Sequence, residues 1–495
     1  MEDLLILKLE ISDNINNINN INNFDNADNV DNVDNVEYSI ISKQLTSSLS
    51  KTIKQNNGIY FTPPSCVVRN IKLLEPYMNT ITNILEPSCG SCEYITKLSK
   101  LYPDKNITGI EYNKTIYESI LHIKNDKINI NNIDYLEYKP NIHYDLIIGN
   151  PPYYVLKKTN VNKDYYKYFE GRPNIFILFI IKSLQLLNNN GILSFILPKN
   201  FLNCLYYNDT RKYINQHCQI LHIIECKKNE DKYIETQQDT IILIIKKTIN
   251  NINNTLYILN IDTKIDTNIN NNIDTNINNN IDTKIDTKID TKIDTNIDTN
   301  IDTNINNNIN NNIDKNKTTY TIFANMLNIL TLKDLYKNST SLHKLGFTIS
   351  VGKIVWNQCK NILTDDITKT QLIYSSDINN NNLTIKKYNN IDKKNFINKK
   401  GITHPLIVIN RGYGVGTYNF NYCLIDIKKE YLVENHLICI EHITHIIYDD
   451  LIKLYNKLLL SFNDKRTLEF IKIYFGNNAI NTIELLHMLP IYQDI

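Results

Sequence analysis

Four short apolar runs, each closed by an acid or an amide, constrain the fold of this chain more than any other feature. Asn83-Ile84-Leu85-Glu86, Ile107-Thr108-Gly109-Ile110-Glu111 and Ile128 to Ile133 ahead of Asp134 come first. Tyr144-Asp145-Leu146-Ile147-Ile148-Gly149 then leads into Asn150. Short runs rich in Ile and Leu read as strands buried on both faces, as in a parallel sheet. Helical patterns fall between and after them, from about Glu93 to Leu101 and from Ile175 to Leu187. Further strands are expected at Gly191 to Pro198, 219–226 and 240–247. The alternation predicts an α/β fold with a doubly wound, mostly parallel sheet. In such a sheet the carboxyl ends of the strands open on a ligand crevice.

The fourth run ends in Asn150-Pro151-Pro152-Tyr153. Two prolines have fixed φ and no N–H, so they cannot continue a central ladder. They set a stiff turn with exposed carbonyls behind a planar amide and ahead of an aromatic ring. The Asn150 amide oxygen and a neighbouring carbonyl can accept from a planar amino group, while Tyr153 stacks on the ring that carries it. Those are the requirements for methylating an exocyclic nitrogen. A strand also ends in Asn-Pro-Pro merely to stop, and acids are common where strands meet loops. Glu86, Glu111 and Asp134 at three successive strand ends favour a site. Glu111 lies about 20 residues beyond the first turn, where a ribose-binding carboxylate belongs. Asp134 suits a cofactor adenine amino group, and Glu86 suits the methionine part of a cofactor.

The first turn, Pro87-Ser88-Cys89-Gly90-Ser91-Cys92, is small but is no strict Gly-x-Gly-x-x-Gly. It has no Lys-Ser/Thr for a triphosphate, which argues against a phosphate-loop nucleotidase. Cys89 and Cys92 have redox or zinc spacing, but no second such pair exists. His436, Cys439, His442 and His445 are spaced in threes on strand-like sequence, where they would not share one face. No metal site is expected.

Two tracts are too polar and too simple to bury a core: residues 1–36, with Asn-Ile-Asn and Asp-Asn-Val units from 13 onward, and 249–318, with Ile-Asp-Thr units. Both are expected to be disordered. They leave an N-terminal domain at 37–248 and a C-terminal α+β segment at 319–495. Residues 37–56 suit an amphipathic helix. Val67 to Leu74 suit another, with Thr62 and Ser65 as caps. In the C-terminal segment, strands are expected at Thr348–Val351, Leu406–Ile409 and Leu437–Ile440. Helices are expected near Ile329–Lys337, Tyr448–Leu460 and Leu468–Tyr474.

Net charge is +1, so the whole chain is no polycation, although residues 351–400 carry nine Lys against four Asp. No stretch reaches membrane-span length, the start Met1-Glu2-Asp3 is no signal peptide, and nine scattered cysteines fit a reducing compartment. A soluble, intracellular protein without a membrane partner is the expectation.

These residues resemble the TaqI-like gamma class of adenine-N6 DNA methyltransferases, including Eco57I-type modification domains. The resemblance runs in motif order over about residues 50–248. Gly58 to Pro64 resembles the N-terminal cofactor-proximal motif, Glu86 to Cys92 the methionine-side loop, Ile110-Glu111 the ribose motif and Ile133 to Leu136 the adenine-side motif. Asn150 to Tyr153 is identical to the catalytic signature, and Asn174-Ile175-Phe176 and Gly191 to Pro198 look like the next two motifs. The resemblance implies a Rossmann-like S-adenosylmethionine-dependent domain, with cofactor contacts at Thr62, Glu86, Pro87, Cys89, Gly90, Glu111 and Asp134. It implies catalysis by Asn150, Pro151, Pro152 and Tyr153 on an adenine flipped from double-stranded DNA. Tyr233 falls roughly where an aromatic packs on that base. The C-terminal segment distantly resembles target-recognition domains, with Lys386, Lys387, Arg411 and Tyr413 as candidate DNA contacts and ordinary surface charge as the alternative. Cys92 departs from the pattern, which usually has glycine there.

Alternatives stay open. Release-factor glutamine and some RNA methyltransferases carry Asn-Pro-Pro-Tyr or a close variant, and Cys92 would also fit a DNA-binding protein with a weakened cofactor site. A fused nuclease is not expected, since low-complexity sequence and one short helix precede Gly58. A separate cognate endonuclease would be the natural partner, and the chain is expected to be a monomer.

Overall fold

The computed structural model describes residues 37–226, 239–248, 252–262, 319–412, 418–444, 446–475 and 480–494. The expectations for residues 1–36, for 249–251 and 263–318, and for Tyr233, Tyr413 and His445 lie outside them. The chain divides into two compact units: Met1–Glu137 with Cys226–Gln237, and Tyr138–Glu225 with Gln238–Ile495. The sequence reading placed the division in the repeat tract, after residue 248.

In the first unit, two helices replace the single one expected over 37–56: α1 (Ile40–Ser48) and α2 (Lys51–Asn57). Ser39 caps α1, its Oγ accepting from the Ser42 N–H at 3.1 Å. Next comes α3 (Pro64–Leu74), with Pro63 at the cap position and no side-chain cap. Neither Thr62 nor Ser65 caps it. Pro64 opens the helix instead, because the first turn has N–H groups to spare and proline lacks one. There follow β1 (Asn83–Glu86), α4 (Glu93–Leu101), β2 (Asn106–Ile110), α5 (Lys114–Ile120) and β3 (Ile128–Asn131). β2 pairs in parallel with both β1 and β3. Ile84, Leu85, Ile107, Ile110, Ile128 and Ile130 are all buried there, against Ile95 and Leu98 of α4. The third strand stops at Asn131, short of the expected Ile133. Asn132 turns instead, its Nδ2 donating to the carbonyls of Glu111 (2.8 Å) and Tyr112 (3.0 Å).

The second unit begins with β4 (Tyr144–Gly149), α6 (Ile175–Leu186), β5 (Leu187–Pro198), α7 (Asn208–His217), β6 (Cys218–Glu225) and β7 (Thr240–Lys247). α6 is buried almost all round, as its uniform apolarity requires. β4 and β5 are parallel, and β7 runs antiparallel to both β5 and β6. The seven strands are ordered β3-β2-β1-β4-β5-β7-β6.

β8 (Ile258–Asp262) lies inside the stretch read as a polar linker and pairs antiparallel with β9 (Thr319–Phe323), from Ile258↔Phe323 to Asp262↔Thr319. Composition averaged over 249–318 hid the apolar positions Tyr257, Ile258, Leu259 and Ile261. β9 joins the unit through polar contacts in its core. Arg211 is fully buried, its Nε donating to the Thr321 carbonyl (2.6 Å) and its Nη1 to those of Phe201 (2.9 Å) and Cys204 (2.8 Å). Buried Glu484 accepts from the Leu205 N–H (3.1 Å) and the Tyr320 hydroxyl (3.3 Å), and burial pushes its carboxyl up to about 7.

After α8 (Met326–Leu335) comes a four-stranded antiparallel sheet, ordered Phe347–Val351, Leu437–His442, Leu406–Asn410 and Tyr422–Ile425. α9 (Tyr448–Asn463), α10 (Lys465–Tyr474) and α11 (Thr482–Met488) follow, and Tyr455, Phe462, Phe470 and Leu485 share a core with Phe347, Ile407 and Ile440. A smaller sheet joins Leu363–Thr364, Phe396–Ile397, Thr370–Ile373 and Tyr431–Val433. No helix among the described residues is long and apolar enough to cross a membrane.

Candidate cofactor and acceptor sites

The turn after β1 is built from backbone conformations that most side chains avoid. Gly90 has φ +50° and Cys92 has φ 62°, ψ 33°. Cys92 therefore takes up the left-handed conformation that glycine would supply, as a fully buried side chain at the N-terminus of α4. Its N–H donates to the Cys89 carbonyl at 2.7 Å, closing the turn. Buried Phe61, next to buried Thr62, lies beside Gly90, where an added Cβ would meet its ring at 3.7 Å. The adjoining serines bind α1: Ser42 Oγ donates to Ser91 Oγ (2.7 Å), and Ser39 Oγ donates to Glu93 Oε1 (2.7 Å). No sequence motif announced this serine cluster.

Two expected acids stand beside the turn. Glu111 Oε2 accepts from the Gly90 N–H (2.9 Å) and Oε1 from the Asn113 N–H (2.7 Å), so one carboxylate ties the first turn to the second. Burial pushes it up to about 7, against the pull of those N–H groups. Glu86 is buried, and among the described residues its Oε2 has no hydrogen-bond partner. Burial first, and then the neighbouring Cys92, hold its carboxyl well above the usual range. An acceptor left open in this way can take a donor from a bound ligand. A cationic amino group, such as the one S-adenosylmethionine carries on its methionine part, would supply it, so the residues fit that cofactor. Pro87 and Cys89 are buried in the same turn, and burial pushes the Cys89 thiol well up. Asp134 differs: it is exposed, three residues beyond β3, with Oδ1 accepting from the Leu136 N–H (2.8 Å).

The second unit carries Asn150 to Tyr153 at the end of β4. The Tyr153 hydroxyl donates to the Ile196 carbonyl of β5 at 2.8 Å and is also hydrogen-bonded to Asn150 Oδ1. Its ring meets buried Phe176 edge to face, centroids 6.1 Å apart at 89°. Asn174 caps α6 through the Phe176 N–H, and the Ile175 N–H donates to the Tyr154 carbonyl at 2.9 Å. The tetrapeptide, β5 and the start of α6 thus brace one another. The Ile196 carbonyl could not have been picked out from sequence, because it acts through its backbone.

Lys386 and Lys387 are exposed on a C-terminal loop. Arg411 follows the strand Leu406–Asn410, its N–H donating to the His436 carbonyl at 3.2 Å. His436 pairs with Glu434 at 2.9 Å, and His442 bonds the Thr444 hydroxyl at 2.9 Å. Among the described residues no group of three or more His, Cys, Asp or Glu could hold a metal ion.

Strand order, the antiparallel seventh strand and an acid-rimmed first turn together define a Rossmann-like, S-adenosylmethionine-dependent methyltransferase fold. Residues 5–233 match the model of the Eco57I restriction-modification methylase family, and this region of the chain is Eco57I-like. The chain is 33% identical over 182 residues to modification methylase CviBIII of Paramecium bursaria Chlorella virus NC1A, covering 36% of this chain and 47% of that one. It is 30% identical over 207 residues to type II methyltransferase M.CvrRI of Paramecium bursaria Chlorella virus XZ-6E, covering 42% and 52%. With M.HincII of Haemophilus influenzae the figures are 31% over 227 residues, covering 44% and 42%. The chain thus spans about half the length of the curated relatives it matches. The family match and the fold make S-adenosylmethionine the cofactor.

Proposed function

We propose that the chain is a site-specific DNA methyltransferase that transfers a methyl group to the N6 nitrogen of an adenine flipped out of double-stranded DNA. The observation that carries this reading is the braced Asn150-Pro151-Pro152-Tyr153 turn at the end of β4. An exocyclic amino nitrogen is a poor nucleophile because its lone pair is delocalised into the ring. The Asn150 amide oxygen accepts one N6 hydrogen and the Pro151 carbonyl the other, which localises the lone pair on nitrogen. Tyr153, its hydroxyl anchored on Ile196, holds the base by stacking after it leaves the duplex. Pro152 fixes the backbone between them. Positioning and fixed dipoles then supply most of the rate.

When bound, S-adenosylmethionine would supply the methyl group from its sulfonium and leave as the neutral thioether, and the methylated N6 would give up one proton to solvent. For holding it, we assign Glu86 to the methionine end and Glu111 to the ribose hydroxyls. Asp134 goes to the adenine amino group, and Thr62, Pro87, Cys89 and Gly90 form the walls. Asp134 is exposed, so this role needs the cofactor to cover it. The segment from 319 onward reads the target, with Arg411 a candidate base or phosphate contact. The match to the restriction-modification methylase family model and the likeness to a modification methylase support a DNA substrate over an RNA or a protein glutamine.

The test is a transfer assay with methyl-labelled S-adenosylmethionine on duplex DNA, RNA and a protein extract, followed by nucleoside analysis of the product. N6-methyladenine in the DNA is expected. Label only in RNA or on glutamine, or methylated cytosine, would overturn the proposal.

A further inference from the structure

A strongly basic stretch of the sequence, residues 351–400, includes the chain's single tryptophan, Trp356. Residues 351–400 hold nine Lys and four Asp, in a chain whose net charge is +1, so the rest of the chain is net acidic. The structure shows how that charge is arranged. Lys393 Nζ lies 4.0 Å from the Tyr388 ring centroid, 4.1 Å from that of Tyr374 and 5.7 Å from that of Trp356. Three aromatic faces around one ammonium make a cation box, filled here by the chain's own lysine.

The box closes a loop. Asp377, fully buried, accepts from the Lys386 N–H (3.0 Å) and the Tyr388 hydroxyl (2.8 Å) through Oδ1, and from the Tyr374 N–H (2.9 Å) through Oδ2. The Tyr374 hydroxyl donates to the Lys394 carbonyl (2.6 Å), and Asn395 Nδ2 donates to the Lys386 carbonyl (3.0 Å). Both ends of the loop are therefore fastened to the strand Thr370–Ile373 and its continuation. The four acids are spent internally: Asp377 on these bonds, Asp392 on Lys360 (2.8 Å), Asp365 on Lys394 (2.6 Å), and Asp366 on the Thr368 N–H (2.9 Å) and hydroxyl (2.7 Å). Lys386 and Lys387 remain exposed, with no ion pair among the described residues.

We propose that this loop is a rigid contact surface for the phosphate backbone of duplex DNA: Lys386 and Lys387 neutralise phosphates, and Lys393 is a latch that positions them without touching DNA. The inference rests on the DNA reading above and adds to it which element grips the duplex and how. A polyanion is the partner that fits two adjacent unpaired ammonium groups on a pre-ordered loop. Pre-ordering lowers the conformational cost of binding. Burial lowers the Lys393 pKa while Glu434 and Asp377 oppose that effect, and the surrounding rings suit the charged form.

The experiment measures binding of the full chain to a short labelled duplex of unrelated sequence, by anisotropy across a salt series. K386Q/K387Q should lower the slope of log K against log salt by about two, at roughly 0.9 per phosphate lost. K393M should weaken binding roughly threefold to tenfold at an unchanged slope, and K393R, which keeps the cation, should bind like wild type. Trp356 emission should differ between free K393M and free wild type. Wild-type binding with an unchanged slope in K386Q/K387Q overturns the surface, while leaving the DNA reading standing. A slope that falls in K393M, or unaltered Trp356 emission, overturns the latch. A wild-type chain that binds no duplex even at low salt defeats the DNA reading, and this inference with it.

Discussion

The turn after β1 and the turn after β4 both end a buried parallel strand, yet they are built in opposite ways. The first bends through two left-handed residues, Gly90 and Cys92, and is held from outside by the Glu111 carboxylate. Its side chains are small, which lets a ligand approach its backbone. The second has two prolines and is held by one of its own side chains, the Tyr153 hydroxyl bonded to Asn150 and Ile196. On the proposed function, the first turn receives the cofactor and the second aims the acceptor. Damage to the first should therefore appear in cofactor affinity, and damage to the second in turnover.

The sharpest way to break that contrast is Asn150→Ala. It should lower kcat by about 10²–10³ or more, as loss of a preorganised polar group does, while calorimetry shows S-adenosylmethionine binding unchanged. Loss of cofactor binding instead would mean that the two turns are not functionally separate. Tyr153→Phe keeps the ring and removes the anchor, so a smaller loss of about tenfold is expected, equivalent to one hydrogen bond. Steady-state kinetics that match wild type would show that the hydroxyl aims nothing.

The receiving turn has a pH signature. The Glu111 carboxyl is raised from 4.5 to about 7, as is that of buried Glu484. The folded state thus keeps their protons longer than the unfolded state. Their contribution to stability is fully present below about 4.5 and is lost as pH rises through about 7. Melting temperature should fall over that window, and less steeply in Glu484→Gln. On the proposed function the ionised Glu111 is the better acceptor for ribose hydroxyls, so cofactor affinity should rise across pH 7 in wild type and rise less in Glu111→Gln, where the raised carboxyl of Glu86 still titrates. An equally pH-dependent Glu111→Gln would remove Glu111 from the cofactor site.

Cys92→Gly should do least. It relieves a left-handed side chain worth about 1–2 kcal/mol and gives up a buried thiol of about the same value. Melting temperature should move by no more than a few degrees (about 4–8 °C per kcal/mol at most), and cofactor affinity should stay within about twofold. A tenfold gain in affinity would show instead that the thiol crowds the cofactor.

Much of this was legible in the sequence because it is local. The strands, their apolar faces and the two acids directly at strand ends follow from neighbouring residues. So does the Asn-Pro-Pro-Tyr turn. Asp134 shows where local reading stops: Asn132 leaves the strand to satisfy the carbonyls of Glu111 and Tyr112, and apolar periodicity carries no trace of that bond. β8 escaped notice because a repeat-rich window averages away a short apolar strand. The box around Lys393 was invisible for a third reason. Trp356, Tyr374 and Tyr388 follow no period and meet only after the loop folds back over its own strand.

The pairing of Asp262 with Thr319 has a consequence for how this protein can change over generations. The repetitive stretch between them departs and returns at one point, the open end of a strand pair. Doubling a closed loop costs only about 0.6 kcal/mol. Copies of the Ile-Asp-Thr unit can therefore be gained or lost with little penalty to folding, and a chain shortened within 266–315 should melt within a few degrees of the parent. The number of repeats is then a variable that the strand pair Ile258–Asp262 with Thr319–Phe323 lets the folded parts tolerate.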